Sequence, residues 1–165
     1  MTIAISSDHT GFAQLKKLRD YLENELGHSC HNFGPAEIKP DDDYPDFILP
    51  AARAVAGGQC EMGIILGGSG QGEAMVANRV RGVRCAVYYG PATAAGRLGA
   101  DGSPPLDGYD ILRLSRQHNS ANMLSLAARF LSVEQMQIAV RLWLATPFSH
   151  DPRHQRRVAK LDDIS

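Results

Sequence analysis

Met62-Gly63-Ile64-Ile65-Leu66 runs straight into Gly67-Gly68-Ser69-Gly70-Gln71-Gly72-Glu73, and this junction decides the fold. An unbroken apolar run suits a central parallel strand covered on both faces. Four glycines in the next six residues let the backbone approach a ligand closely and aim N–H groups at it. A helix is predicted from Glu73 to Val80, and its N-terminal end adds positive potential there. A phosphate or a developing enediolate oxygen fits such a turn. No Lys follows as in a Walker loop, and the spacing does not match a dinucleotide fingerprint. The plainer reading is a tight strand-to-helix connection.

The same rhythm extends both ways. Upstream, Thr2–Ser6 is short and β-rich and ends at Ser7-Asp8-His9. Phe12 to Leu26 carries apolar residues at a helical period and stops at Gly27. Ser29–Phe33 reads as a strand, 34–45 as a polar loop with Asp41-Asp42-Asp43, and Phe47 to Ala56 as a helix stopped by Gly57-Gly58. Downstream, Arg84–Tyr88 reads as another buried strand and Met123–Ala127 as the last one. Val133–Leu144 and a basic segment from about Pro152 read as helices. Alternating strands and helices predict an α/β fold with a parallel sheet and right-handed crossovers. One segment breaks the rhythm. Gly96–Asp110, rich in glycine and proline, reads as an inserted loop, and such loops are commonly functional.

Composition narrows the function. At 165 residues the chain fits one domain, 1–165, with a sizeable core. A net charge of -1 gives no global field to draw in nucleic acid or membrane. Cys30, Cys60 and Cys85 are odd in number and form no Cys-x-x-Cys pair, so a disulfide scaffold or cysteine-rich zinc site is not expected. The six histidines show no His-Glu-x-x-His motif. The N-terminus resembles neither a signal peptide nor a membrane span. The expectation is a cytoplasmic protein without metal or organic cofactor.

Ligands of open α/β sheets gather at the carboxyl ends of the strands. Asp8-His9 follow the first strand, and Glu73 ends the glycine turn. A carboxylate at a helix start can be a mere dipole partner, or a general base facing a carbon acid. His118, in Ser115-Arg116-Gln117-His118-Asn119, can exchange protons near neutral pH. Arg153 and Arg157 are four apart and share a helical face, which makes either a phosphate clamp or a solvated basic face. Arg129, just past the last strand, is a further candidate.

Ser7–Phe12, Asp43-Tyr44-Pro45, Gly67–Glu73, Ser115–Asn119 and Arg153–Val158 together resemble the type B ribose-5-phosphate isomerases and their galactose-6-phosphate isomerase relatives. The motifs stand in family order, and only Gly96–Asp110 looks alien. The resemblance implies a Rossmann-like three-layer αβα sandwich and a homodimer or dimer of dimers with its active site between subunits. It implies aldose–ketose interconversion of a small sugar phosphate through a cis-enediolate. Ribose 5-phosphate is the first guess; another tetrose, pentose or hexose phosphate, or a silent phosphosugar-binding protein, is the alternative.

By the same resemblance Asp8, His9 and Tyr44 contact substrate, and Gly68, Gly70, Gln71 and Gly72 hold the enediolate oxygens beside Ser69. His118 opens the ring, Asn119 assists, and Arg129, Arg153 and Arg157 hold phosphate. One branch of the family uses a cysteine base at the first loop position. Here that position is Gly67, so Glu73 is the implied base.

Overall fold

The computed structural model describes residues 1–98 and 104–163, and among these five strands form one sheet. The chain runs β1 (Thr2–Ser7), α1 (Phe12–Asn24), β2 (Ser29–Asn32), α2 (Tyr44–Ala56), β3 (Met62–Gly67) and α3 (Gln71–Ala77). It continues with β4 (Cys85–Tyr88), α4 (Asp110–Gln117), β5 (Met123–Ala127), α5 (Val133–Ala145) and α6 (Pro152–Asp162). The strand order is β2-β1-β3-β5-β4, and every pair is parallel.

Period-two alternation builds the layers. Ile3 and Ile5 of β1, Ile64 and Leu66 of β3, and Leu124 and Leu126 of β5 pack with α1 and α5 around fully buried Trp143. Ala4, Ile65 and Met123 face the other way, onto the alanine-rich side of α2 and onto Ala77 of α3. Each buried Leu or Ile contributes about 1.5–3 kcal/mol of transfer free energy. The result is the expected αβα sandwich.

Several boundaries differ from the sequence reading. The polar loop ends at Asp43, and α2 begins at Tyr44 rather than Phe47, because Pro45 sits in the first turn, where its missing N–H costs nothing. The glycine turn gives way to helix at Gln71, so Glu73 stands in the first turn of α3, which ends at Ala77 rather than Val80. β4 is not a buried strand: it starts at Cys85, lies at the sheet edge and is half-exposed up to Tyr88. β5 is the fully buried one, inserted between β3 and β4.

The loop read as Gly96–Asp110 ends one residue early, because Asp110 begins α4, a helix absent from the sequence reading. Arg116 occupies the core-facing side of α4 and hides its apolar stripe. It is buried at 8% exposure, donates to the carbonyls of Thr146 (3.1 Å) and Ala121 (2.5 Å), and lies over the Trp143 ring at 5.3 Å. Of the insertion, Gly99, Asp101 and Gly102 lie outside the described residues. Its C-terminal part is tied down: Arg113 forks onto Asp107 at 2.7 and 2.8 Å and reaches Asp110 at 3.0 Å. Asp110 in turn accepts the N–H groups of Leu106 and Asp107.

Candidate active site

β1 leads to β2 on one side of itself, and the chain then crosses to β3 on the other. The carboxyl ends of β1 and β3 therefore flank a topological switch point, where open α/β sheets leave a crevice. Asp8-His9 leave β1 there, and the glycine loop leaves β3 there. Asp8 is buried, and its carboxylate accepts the Thr10 N–H at 2.9 Å and hydroxyl at 3.3 Å. His9 Nδ1 lies 2.5 Å from Asp42 Oδ1, an oxygen that also accepts the His9 backbone N–H at 3.3 Å.

The glycine loop is shaped around one carboxylate. Glu73 is only 5% exposed and folds back onto the backbone of Gly67. A Cβ at position 67 would fall on the Glu73 carboxylate, so this space holds either a side chain at 67 or the glutamate, not both. Gly70 has φ +73°, and a Cβ there would lie 2.9 Å from Ser125 Oγ, so the turn tolerates no larger residue. Ser125 donates to the Gly70 carbonyl at 2.7 Å and pins the loop to β5. Burial raises the Glu73 pKa above the usual carboxylate range. Its own backbone N–H opposes that shift, and the nearby Asp8 charge adds to it.

Thr10, Tyr44, Gly68, Ser69, Gly72, Glu73, Arg129 and Phe130 line the resulting cleft, about 440 Å³ in volume. Ser69 and Gln71 are exposed, and Ser69 Oγ accepts the Gln71 N–H at 3.3 Å. Arg129 follows β5, and its N–H bonds the Gly68 carbonyl at 3.1 Å. A buried carboxylate, a main-chain loop and a cation thus share one cleft, a set suited to removing a proton next to a carbonyl.

The remaining predicted residues lie elsewhere. His118 caps the C-terminal end of α4, before β5, and so sits at the amino edge of the sheet. The paired residues Gly63–Gly67 and Met123–Ala127 span the sheet between the two edges, roughly 15 Å at the rise of a strand. His118 stacks on buried His154 with ring centroids 4.1 Å apart, and Ser149 Oγ lies 2.8 Å from His154 Nδ1. Burial lowers the His118 pKa, and His154, Arg153 and Arg157 push it down further, which leaves a neutral imidazole near pH 7. Arg153 lies 3.2 Å from Asp151, and Arg157 is exposed. His118, Arg153 and His154 line a groove of about 860 Å³ with Asp110, Arg113 and the insertion residues Leu98, Pro104 and Leu106. Asn119 lines neither region. It is exposed and lines a separate cleft of about 650 Å³ with Arg79, Arg81 and Arg84.

The structure adds residues that the sequence did not single out. Asp42 lay in a run of three equal aspartates, and His154 among arginines, so neither had a distinguishing pattern. Thr10 and Phe130 join the cleft from the same turns as His9 and Arg129. Among the described residues, Asp8, His9 and Asp42 are the group whose donor atoms come close enough for a metal ion, within 4.8 Å of one another. The His9–Asp42 hydrogen bond accounts for that proximity without an ion. No helix of the described residues is long and apolar enough to cross a membrane.

Known proteins resemble this chain over nearly its whole length. The ribose/galactose isomerase family model matches residues 3–98 and 109–161, and its gap falls within the insertion. Ribose-5-phosphate isomerase B of Mycolicibacterium paratuberculosis is 34% identical over 158 residues, which is 96% of this chain and 87% of that one. The structure of ribose-5-phosphate isomerase B from Clostridium thermocellum superposes with a TM-score of 0.83 at 34% identity, covering 99% of this chain and 97% of that one. The Mycoplasma genitalium enzyme, solved with bound ribulose-5-phosphate, superposes with a TM-score of 0.82 at 31% identity, covering 98% and 93%. With the family model spanning nearly all of both flanks of the insertion, the chain belongs to the ribose/galactose isomerase family of sugar-phosphate isomerases.

Proposed function

We propose that this chain interconverts ribose 5-phosphate and ribulose 5-phosphate, with Glu73 as the base that carries a proton between C2 and C1. The observation behind the reading is the buried Glu73 carboxylate, folded into the glycine loop at the switch point. Glu73 takes the C2 proton of the open-chain aldose, and the electron pair moves onto the carbonyl oxygen to give a cis-enediolate. The amides of Gly68, Gly70, Gln71 and Gly72, with Ser69, stabilise that developing charge. The C2 hydroxyl proton passes to the C1 oxygen, and return of the Glu73 proton to C1 gives the ketose. A raised pKa brings the carboxylate nearer the acidity of its carbon acid and makes both proton transfers easier.

His118 is the acid–base group that opens the sugar ring, with Asn119 assisting. Arg129, Arg153 and Arg157 take the phosphate, and Asp8, His9 and Tyr44 contact the substrate. Glu73 and His118 stand at opposite sheet edges in one chain. That separation supports a homodimer, or a dimer of dimers, in which one subunit brings the glycine loop and its neighbour brings His118.

The test is turnover of ribose 5-phosphate by the purified chain in the presence of chelator, beside a panel of tetrose and hexose phosphates. Glu73→Gln should still bind substrate while turnover falls about a hundred- to ten-thousand-fold. Normal turnover by that variant overturns the mechanism. Binding of sugar phosphates without turnover by the unaltered chain would leave a phosphosugar-binding protein instead.

A further inference from the structure

Of Asp41, Asp42 and Asp43, only Asp42 turns inward. Its neighbours are exposed, whereas its own side chain is 6% exposed. A carboxylate held away from water needs compensation, and among the described residues no Lys or Arg supplies it. Its partner is His9, 33 residues away on another loop. One oxygen of Asp42 takes both the backbone N–H and the Nδ1 of His9, at 3.3 and 2.5 Å. The other oxygen is buried without a hydrogen-bond partner. Asp8 is the second carboxylate near Nδ1, at 4.0 Å, but it is already engaged by the Thr10 N–H and hydroxyl.

A carboxylate on Nδ1 fixes the tautomer and orientation of an imidazole and favours its protonated form. The third charge near His9 is Arg129. Its guanidinium and the Thr10 methyl converge on Gly68: a Cβ there would meet Arg129 Nε at 3.4 Å and Thr10 Cγ2 at 3.5 Å. Arg129 is exposed at the cleft, and among the described residues no carboxylate pairs with it. Two cations side by side repel each other unless a buried anion offsets one of them.

We propose that Asp42 is a positioning residue that holds His9 through Nδ1, so that His9 and Arg129 together receive the anionic end of the substrate. The identity of that anion as a sugar phosphate rests on the isomerase reading; the Asp42–His9 coupling does not. The hydrogen bond to Asp42 raises the His9 pKa and Asp8 adds to the rise, while burial and, more weakly, Arg129 oppose it. Asp42→Asn removes the largest of these causes.

The experiment is NMR titration of the His9 ring in the full chain, with chelator present throughout, first alone and then with inorganic phosphate. In the unaltered protein His9 should titrate above an ordinary histidine, and its neutral form should carry the proton on Nδ1. In Asp42→Asn the midpoint should fall, and phosphate affinity above that midpoint should weaken about tenfold, as for loss of a charged hydrogen bond. In turnover assays Asp42→Asn should raise KM more than it lowers kcat, and in a His9→Gln background it should add no further loss. An unchanged His9 titration in Asp42→Asn overturns the proposal, as does equal damage by Asp42→Asn with and without His9. If the unaltered chain turns over no sugar phosphate while the His9 titration shifts as described, the isomerase reading fails and the Asp42 assignment stands.

Discussion

The cleft at the glycine loop and the groove beside α4 are built from different materials. The first is made of main chain: glycines leave room, a buried carboxylate fills it, and Ser125 locks the turn. The second is made of side chains: a neutral His118 stacked on His154, with Arg153 and Arg157 close by. Proton abstraction from carbon needs the first kind of site, because donors there must be fixed before charge develops. Ring opening suits the second, because it uses a titratable ring with long cationic arms beside it. In the proposed reading each region supplies half of an isomerase site, and the sheet holds the two apart.

The sharpest way to break this contrast is to fill the space that the glycine loop reserves. Gly67→Ala should push the Glu73 carboxylate out of place and cost turnover on the scale of losing the base, about a hundred- to ten-thousand-fold. Wild-type kinetics in that variant would mean that the carboxylate is not held where the proton leaves. A mixing experiment sharpens the contrast next. Glu73→Gln and His118→Ala should each be nearly inactive alone. Co-refolded in equal amounts they should regain about one quarter of normal activity, because half the dimers are mixed and each carries one intact pair. No recovery would contradict a site shared between copies.

A smaller effect is expected on the cationic side. Arg153→Ala should raise KM for the phosphorylated substrate about tenfold or more, with a lesser fall in kcat. The smallest effect concerns pH. Glu73 must be ionised to act, so kcat/KM should climb as pH rises through its pKa, at a pH above the usual carboxylate range. Asp8→Asn removes a neighbouring negative charge and should move that limb to lower pH, which a pH–rate profile reads directly.

Most of the fold was written in the pattern of β1, β3, β5, α1 and α5, where apolar period and burial agree. It failed where a polar residue does the work of an apolar one. Arg116 faces the core of α4 and satisfies itself on two carbonyls and an indole, so the helix carried no visible stripe. The half-exposed β4 read as buried because its residues are as apolar as those of a buried strand; strand order is a tertiary property that no local run encodes.

The site was legible as motifs and not as geometry. Glu73, the glycine loop and Arg129 could be placed from the end of a strand, and they do share a cleft. The inward turn of Asp42 and the separation of Asn119 from the His118 groove depend on loop paths that the residue order leaves open.

The account stands on Glu73 carrying hydrogen between neighbouring carbons. In heavy water, the protein incubated with ribose 5-phosphate should place deuterium at the carbons that exchange the proton, and Glu73→Gln should lose this labelling by about a hundredfold or more while still binding the sugar. Labelling by Glu73→Gln at the unaltered rate would contradict it.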